Sequence, residues 1–272
     1  MNVQDSKALT MKELVVGCSQ LDVLPGNIWK NVEKAERLVS ENAEKGCRLL
    51  IFPEMWSCSF VYSRLREMAE TTPHVLERFQ EWGRRNEMVL VGSLPERDGD
   101  AVFNSSYVID RTGEIVGKYR KIHLFSYNRE HEYFGRGEKS VVCSTSVGRL
   151  GIMICYDLRF PELARRLALD GAEILCISAL WPTTRINHWS LLLRSRALEN
   201  QMFVMGCNGC GKEQNLRYGG ASAIVSPTGE LLAEGKDGEE QVITTLDQDL
   251  MTAFRRQIPC FEDRLPGAYN II

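Results

Sequence analysis

Short apolar runs rich in Val, Ile and Leu recur along this chain, and helical periodicities separate them. "RLLIFPE", "MVLVGSLPE", "RLGIMICYD", "EILCISAL" and "MFVMGCN" are each of strand length and nearly unbroken in apolar character. That pattern belongs to strands covered on both faces. Between such runs, "NIWKNVEKAERLVSENAEK" places Ile28, Val32, Ala35, Leu38 and Val39 on one stripe. The segments "HVLERFQEWGRRN", "FPELARRLALDG" and "NHWSLLLRSRALENQ" carry the same period. Alternating strands and helices predict an α/β fold rather than an all-α or all-β one. Two further stretches, "SYVIDRTGEIVGKYRK" and "SAIVSPTGELLAEGKD", read as hairpins that resemble each other, with Gly113 and Gly229 free to take positive φ in the turns. The likeness is too short to define a repeat, but it predicts two halves built alike.

No Pro/Gly/Ser-rich linker interrupts the 272 residues, so a single domain spanning 1–272 is expected. The exception is a C-terminal tail, roughly 258–272, which is too short to fold alone and is expected at a subunit interface. A net charge of −3 with no basic run of five residues argues against nucleic acid as a partner. No apolar stretch reaches the 18 residues expected of a membrane span. The N-terminal "MNVQDSKALTMKELVVGCSQLDV" lacks the basic start and long apolar centre of a secretory signal. Nine cysteines, an odd number, sit mostly inside apolar runs, which suits a reducing compartment, the cytoplasm.

Chemistry in α/β sheets concentrates at the carboxyl ends of strands. Three such ends here carry an unusual residue: Glu54 after "RLLIFP", Lys121 in "GKYRKIHLF" and Cys155 after "RLGIMI". Each has a plain structural reading, as a surface carboxylate, a solvated basic turn and an inert core thiol. Cys155 is followed by Tyr156, Asp157, Arg159 and Pro161, and the proline suits the first turn of a helix. A thiol in such an elbow stands beside free backbone N–H groups. Taken together, a thiol, a carboxylate and an ammonium form a working set for acyl transfer from an amide.

The segments "LLIFPEM", "GKYRKIHLF" and "GIMICYDLRFPE" resemble the three signature segments of the nitrilase superfamily of carbon–nitrogen hydrolases. The resemblance extends from "VVGCSQLDV" to "GELLAEG". It implies Glu54 as general base, Lys121 as oxyanion stabiliser and Cys155 as nucleophile. It also implies a second glutamate between the last two motifs. Glu130 in "EHEYFGRGE" matches that position, with Glu132 as the competing choice. A four-layer α-β-β-α sandwich is implied, commonly dimerised through the helices flanking the nucleophile and through the C-terminal tail. "FPEMWSCSF" and "ALWPTTRINHWSLLLRSRALENQMFVMGCN" resemble the ω-amidase branch, which hydrolyses the terminal amide of α-keto acids such as 2-oxoglutaramate. A substrate carboxylate needs a cation, which Arg159 or Arg185 can supply, while Phe60, Trp181 and Tyr156 are candidate walls of a small pocket. Relatives acting on deaminated glutathione, N-carbamoyl compounds or nitriles share the catalytic set, so the set does not choose among them.

Competing chemistries lack their residues. A cysteine phosphatase needs an arginine six positions after the cysteine, where Pro161 stands. A Cys–His hydrolase would draw on His123 or His188, but no such nucleophile segment surrounds Cys155. "CNGC", Cys207 to Cys210, has metal spacing without a second ligand pair and reads as buried thiols, so no metal is expected. No nucleotide-binding glycine motif is present, so no cofactor is expected either. An idle scaffold protein of the same fold would have no use for four competent residues at the catalytic positions. The expected partners are a small amide substrate and a second copy of the chain.

Overall fold

The computed structural model describes residues 13–213 and 215–268. The first half runs β1 (Glu13–Gln20), α1 (Ile28–Glu44), β2 (Leu49–Ile51), α2 (Leu65–Arg85), β3 (Val89–Asp98), β4 (Ala101–Ile109) and β5 (Ile115–Arg120). The second runs β6 (Val142–Thr145), β7 (Gly148–Ile154), α3 (Pro161–Leu169), β8 (Ile174–Ala179), α4 (Ile186–Asn200) and β9 (Phe203–Asn208). A short ribbon, β10 (Lys212–Glu213) and β11 (Leu216–Arg217), precedes β12 (Ala223–Val225) and β13 (Leu231–Glu234). The chain closes with β14 (Glu240–Asp247) and α5 (Gln248–Gln257).

Two six-stranded sheets result, in the orders β14-β1-β2-β3-β4-β5 and β13-β12-β9-β8-β7-β6. Within each, the central strands pair parallel, β1-β2-β3 in one and β7-β8-β9 in the other, with antiparallel strands outside them. The two look-alike hairpins, β4–β5 and β12–β13, occupy the same edge of their respective sheets, and each pairing carries a register shift, at Val108/Ile109 and Ile224/Val225. The halves are built alike, as the hairpins foretold.

Alternation along the strands explains the layers. Leu49 and Ile51 point into the apolar cluster between the two sheets, with Val16, Cys18, Val89 and Val91 beside them. Leu50 points the other way, onto Val32, Ala35, Val39, Phe79 and Trp82 of α1 and α2. Leu163, Leu167, Trp189 and Leu193 of α3 and α4 cover the second sheet. The order is helix, sheet, sheet, helix, the expected four-layer sandwich, and β2 and β8 are buried throughout because both faces are covered.

Three local expectations need correction. Helix α2 starts at Leu65 and carries Pro73 inside it. An interior proline costs roughly 3 kcal/mol, but Val75, Phe79 and Trp82 beyond it are fully buried, and each such side chain contributes about 1.5–3 kcal/mol. Helix α4 lacks a single apolar stripe. Trp189 and Leu193 face the sheet, whereas Leu191 and Leu198 face outward and are exposed. The strand before Glu54 is also short: β2 ends at Ile51, leaving Phe52 and Pro53 in the turn.

Part of the C-terminal tail packs on its own chain. Phe261 rests on the core, with the guanidinium groups of Arg165 and Arg255 at 5.4 and 5.2 Å from its ring. Residues 269–272 of the tail, and residues 1–12 of the N-terminal reading, lie outside the described residues.

Cys47, Cys58 and Cys143 are buried, and burial lifts their thiols from an ordinary value of 9.0 to about 12, 12 and 11. Below pH 9 both folded and unfolded chains keep these protons. Above it only the unfolded chain releases them, so stability should fall as pH rises, by about 1.4 kcal/mol per pH unit for each thiol. Thermal unfolding at neutral pH and at about pH 10.5 checks this. A midpoint that stays constant would contradict it.

Candidate active site

Past β2 the chain crosses between sheets. Phe52 N donates to Val91 O at 2.7 Å, and Glu54 N reaches Ala179 O, at the end of β8, at 3.3 Å. Glu54 is thereby turned inward and left 1% exposed. Its Oε1 accepts from Lys121 Nζ and from Asn104 Nδ2, both at 2.8 Å, and its Oε2 from the Leu180 N–H at 3.2 Å.

Lys121 is the first residue after β5, and its ammonium has no solvent exposure. The solvated turn suggested by its basic neighbours is not what forms. The segment after it doubles back: Gly137 N donates to Lys121 O at 2.9 Å. A Cβ at Gly137 would lie 1.9 Å from Arg120 O, so only glycine permits this approach. The returning loop carries Glu130, whose carboxylate meets Lys121 Nζ at 2.9 Å and accepts the Phe125 N–H at 3.0 Å. Glu132 faces away and pairs with Arg129 at the surface.

Cys155 follows β7 directly and is half-buried, with a φ of +48°. For a residue with a Cβ that conformation is strained, and it sets the thiol on the elbow between β7 and the turn that follows. Cys155 lines the same cavity as Glu54 and Glu130, and Lys121 is bonded to both of those carboxylates. Thus the structure brings Glu54, Lys121, Glu130 and Cys155 into one cluster.

Burial, reinforced by the Glu54 charge and opposed by Lys121, holds the Cys155 thiol well above its usual range. Burial pulls the Lys121 pKa down, but the charges of Glu130 and Glu54 outweigh it and raise it well above normal. Burial also raises Glu130, against the pull of Lys121 and with the push of Glu54. At neutral pH the cluster therefore pairs a protonated thiol with a fixed ammonium. This arrangement suits proton removal during attack rather than a standing thiolate.

The cluster opens into a cavity of about 230 Å³. Phe60, Tyr156, Trp181, Arg159 and Arg185 all line it. Arg159 lies 4.8 Å over the Trp181 ring and contacts His188 Nδ1 at 3.3 Å. Arg185 lies 5.5 Å from the Phe125 ring, and its carbonyl accepts the Trp181 indole N–H at 2.8 Å. Among the described residues, no carboxylate pairs with either guanidinium. Of the other histidines weighed, His123 pairs with Asp157 at 2.8 Å, while exposed His188 stays with Arg159.

The sequence reading missed Asn104, which is fully buried; its one available signal was a polar residue inside the strand-like run "AVFNSSYVID". It also missed Phe125, Tyr127, Leu216 and Tyr218 in the cavity wall. Leu216 comes from the β10–β11 ribbon and Tyr218 follows it directly, and nothing local in "GKEQNLRYGG" marks either residue. Cys207 and Cys210 are buried free thiols, with Cys207 Sγ 3.4 Å from Ser19 O.

A family model described as carbon–nitrogen hydrolase matches residues 15–256. This chain belongs to that family, within the nitrilase superfamily. It is 35% identical over 255 residues to the 2-oxoglutaramate amidase of Bacillus subtilis, covering 91% of this chain and 96% of the relative. It is 32% identical over 286 residues to the omega-amidase NIT3 of Saccharomyces cerevisiae, covering 97% of each. The crystal structure of Saccharomyces cerevisiae Nit3, a member of branch 10 of the superfamily, superposes with a TM-score of 0.86 at 30% identity, covering 93% of this chain and 96% of that one. A carbon–nitrogen hydrolase from Helicobacter pylori G27 gives 0.90 at 27% identity, covering 95% and 97%. Membership makes the chain an amide-hydrolysing enzyme of this fold.

Removing the central cation tests the electrostatics of the hydrolase. Lys121→Met leaves Glu54 and Glu130 buried and facing each other, and should cost about 3–5 kcal/mol. The loss should shrink on acidification, as one carboxyl takes up a proton. Thermal unfolding of the variant across the acidic range reads both effects, and a loss independent of pH would contradict the buried-charge account.

Proposed function

We propose that this hydrolase is an ω-amidase-like enzyme that releases ammonia from the terminal amide of a small carboxylate-bearing substrate, such as 2-oxoglutaramate, through a thioester on Cys155. The observation that carries the reading is the pairing, in one cavity, of the Cys155 cluster with two guanidinium groups that no carboxylate among the described residues claims. Relatives bearing the names 2-oxoglutaramate amidase and omega-amidase support it.

In the proposed cycle the substrate carboxylate sits against Arg159 or Arg185, with Phe60, Tyr156 and Trp181 walling its carbon chain. The amide carbonyl oxygen points to Lys121 Nζ and to the Tyr156 N–H, which lies in the first turn after the elbow, where N–H groups have no acceptor within the turn. As the Cys155 sulfur bonds to the carbonyl carbon, Glu54 takes the thiol proton. It then delivers that proton to the nitrogen as the C–N bond breaks, and ammonia leaves. Glu54 next takes a proton from water, whose oxygen attacks the thioester, and the thiol is restored as the acid departs. Glu130 keeps Lys121 charged and aimed throughout. Every step uses groups of this chain, so the proposed cycle includes no cofactor or metal.

A cytoplasmic setting fits the buried free cysteines. We also propose a homodimer through the α3–α4 face, where Leu169, Leu191 and Leu198 are exposed, with the C-terminal tail contributing to the contact.

An ammonia-release screen should show turnover of 2-oxoglutaramate exceeding that of deaminated glutathione, N-carbamoyl amines and simple nitriles. Cys155→Ala should abolish it, and Glu54→Gln should lower kcat on the order of 10²–10⁴-fold. Arg159→Ala or Arg185→Ala should raise KM roughly tenfold or more while changing kcat less. Parental turnover in Cys155→Ala would refute the thioester. Absence of an acyl adduct on intact mass with a slow substrate would favour an idle scaffold.

A further inference from the structure

Asp157 is a fully buried acid that the chemistry above leaves unused. Its two oxygens accept four hydrogen bonds. Oδ1 takes the His123 backbone N–H at 3.0 Å and the His123 Nδ1–H at 2.8 Å. Oδ2 takes the Tyr119 hydroxyl at 2.7 Å and the Ile154 N–H at 2.9 Å.

These donors come from two places. Ile154 immediately precedes Cys155, whose left-handed backbone (φ +48°) needs an external hold. Tyr119 and His123 lie two residues to either side of Lys121. The Tyr119 hydroxyl also accepts the Ile122 N–H at 3.3 Å, tightening that side further. A second tie runs parallel to the first: the His123 ring stacks on Phe160, just past the nucleophile turn, with centroids 3.6 Å apart and planes 7° from parallel. One carboxylate thus joins the strand end that carries the thiol to the segment that carries the ammonium.

We propose that Asp157 is a positioning residue for the acyl transfer, holding the Cys155 sulfur and Lys121 Nζ in fixed register across the cavity. The inference rests on the thioester reading above. The negative charge matters more than the size of the side chain, because both oxygens face only donors among the described residues. An asparagine must turn its NH₂ towards one pair. Turned to Oδ2's place, it opposes the Ile154 N–H, and turned to Oδ1's place, it opposes the His123 N–H. Either way the elbow or the lysine segment is displaced, while Arg159 and Arg185 are left alone.

The test is steady-state kinetics of full-length variants with 2-oxoglutaramate. Asp157→Asn should lower kcat on the order of 10²-fold, the cost of misplacing reacting groups by about an ångström, with KM little changed. His123→Ala should lower kcat roughly tenfold, the loss of one bond to a charged acceptor. His123→Asn, whose amide N–H can stand in for Nδ1–H, should restore most of that loss although it lacks the ring that stacks on Phe160. If Asp157→Asn does not fold, the His123 pair together with Tyr119→Phe, expected to lower kcat but not KM, decides the matter. Folded Asp157→Asn with parental kcat would overturn the proposal. So would His123→Asn performing no better than His123→Ala, or losses appearing in KM alone. An unmodified chain that neither releases ammonia nor forms an adduct on Cys155 would instead defeat the thioester reading itself.

Discussion

An ammonium without solvent exposure can persist in a protein interior only if anions close on it, since stripping water from an isolated charge costs several kcal/mol. For Lys121 those anions are Glu54 at 2.8 Å and Glu130 at 2.9 Å. Satisfying them draws in the rest of the site. Glu54 also takes the Leu180 N–H from the end of β8 and the Asn104 amide from β4, so both sheets contribute. Glu130 reaches the lysine because Gly137 allows its loop to lie against the backbone at Arg120. The site therefore sits on the seam between the sheets, where three strand ends meet a returning loop.

The duplicated architecture offers two corners of this kind, and they are used differently. Beyond β7 stands the strained Cys155, open to the cavity. At the matching end of β1 stands Gln20, fully buried. Its Nε2 donates to Lys236 O at 2.9 Å and its Oε1 accepts the Ser222 N–H at 2.9 Å. A side chain committed to backbone groups seals one corner, while a thiol beside a carboxylate equips the other. The fold supplies the position, and the residue placed there decides whether it does chemistry.

Strain is concentrated at the site without being confined to it. Of the seven described residues with a Cβ in left-handed backbone, four lie there, Met55 and Ser59 in the Glu54 turn, Arg129 beside Glu130, and Cys155, while Glu87, Gln201 and Ala221 lie elsewhere. Such conformations cost of order 1–3 kcal/mol each and persist where surrounding bonds over-determine them. Met55 is held by its N–H bond to Ser93 Oγ at 2.8 Å, and the Cys155 elbow by the Asp157 carboxylate at its preceding residue. A rigid sandwich core is what makes such local expense tolerable.

How much of this was readable beforehand depends on how local the cause is. Apolar runs and helical periods are short-range, so the layers, the look-alike hairpins and the three strand-end residues could be named from the letters. Pro73 and α4 misled because packing against distant residues overrode local preference: Trp82 and Phe79 carry α2 past its proline, and the outward leucines of α4 obey no single stripe. Lys121 looked like part of a solvated basic patch, since nothing adjacent in sequence announces the two carboxylates that bury it. Glu130 and Glu132 differ by two positions, and only the turn they share sends one inward to the lysine and the other out to Arg129. The cavity wall was least legible, because Leu216 and Tyr218 reach it from a ribbon far along the chain. The sequence alone determined the α/β alternation and the chemical identities of acid, amine and thiol, because periodicity and residue type are properties of neighbours. Tertiary structure alone decided which carboxylates neutralise the amine and what lines the cavity, because charge pairing and enclosure depend on distances that the chain's order does not contain.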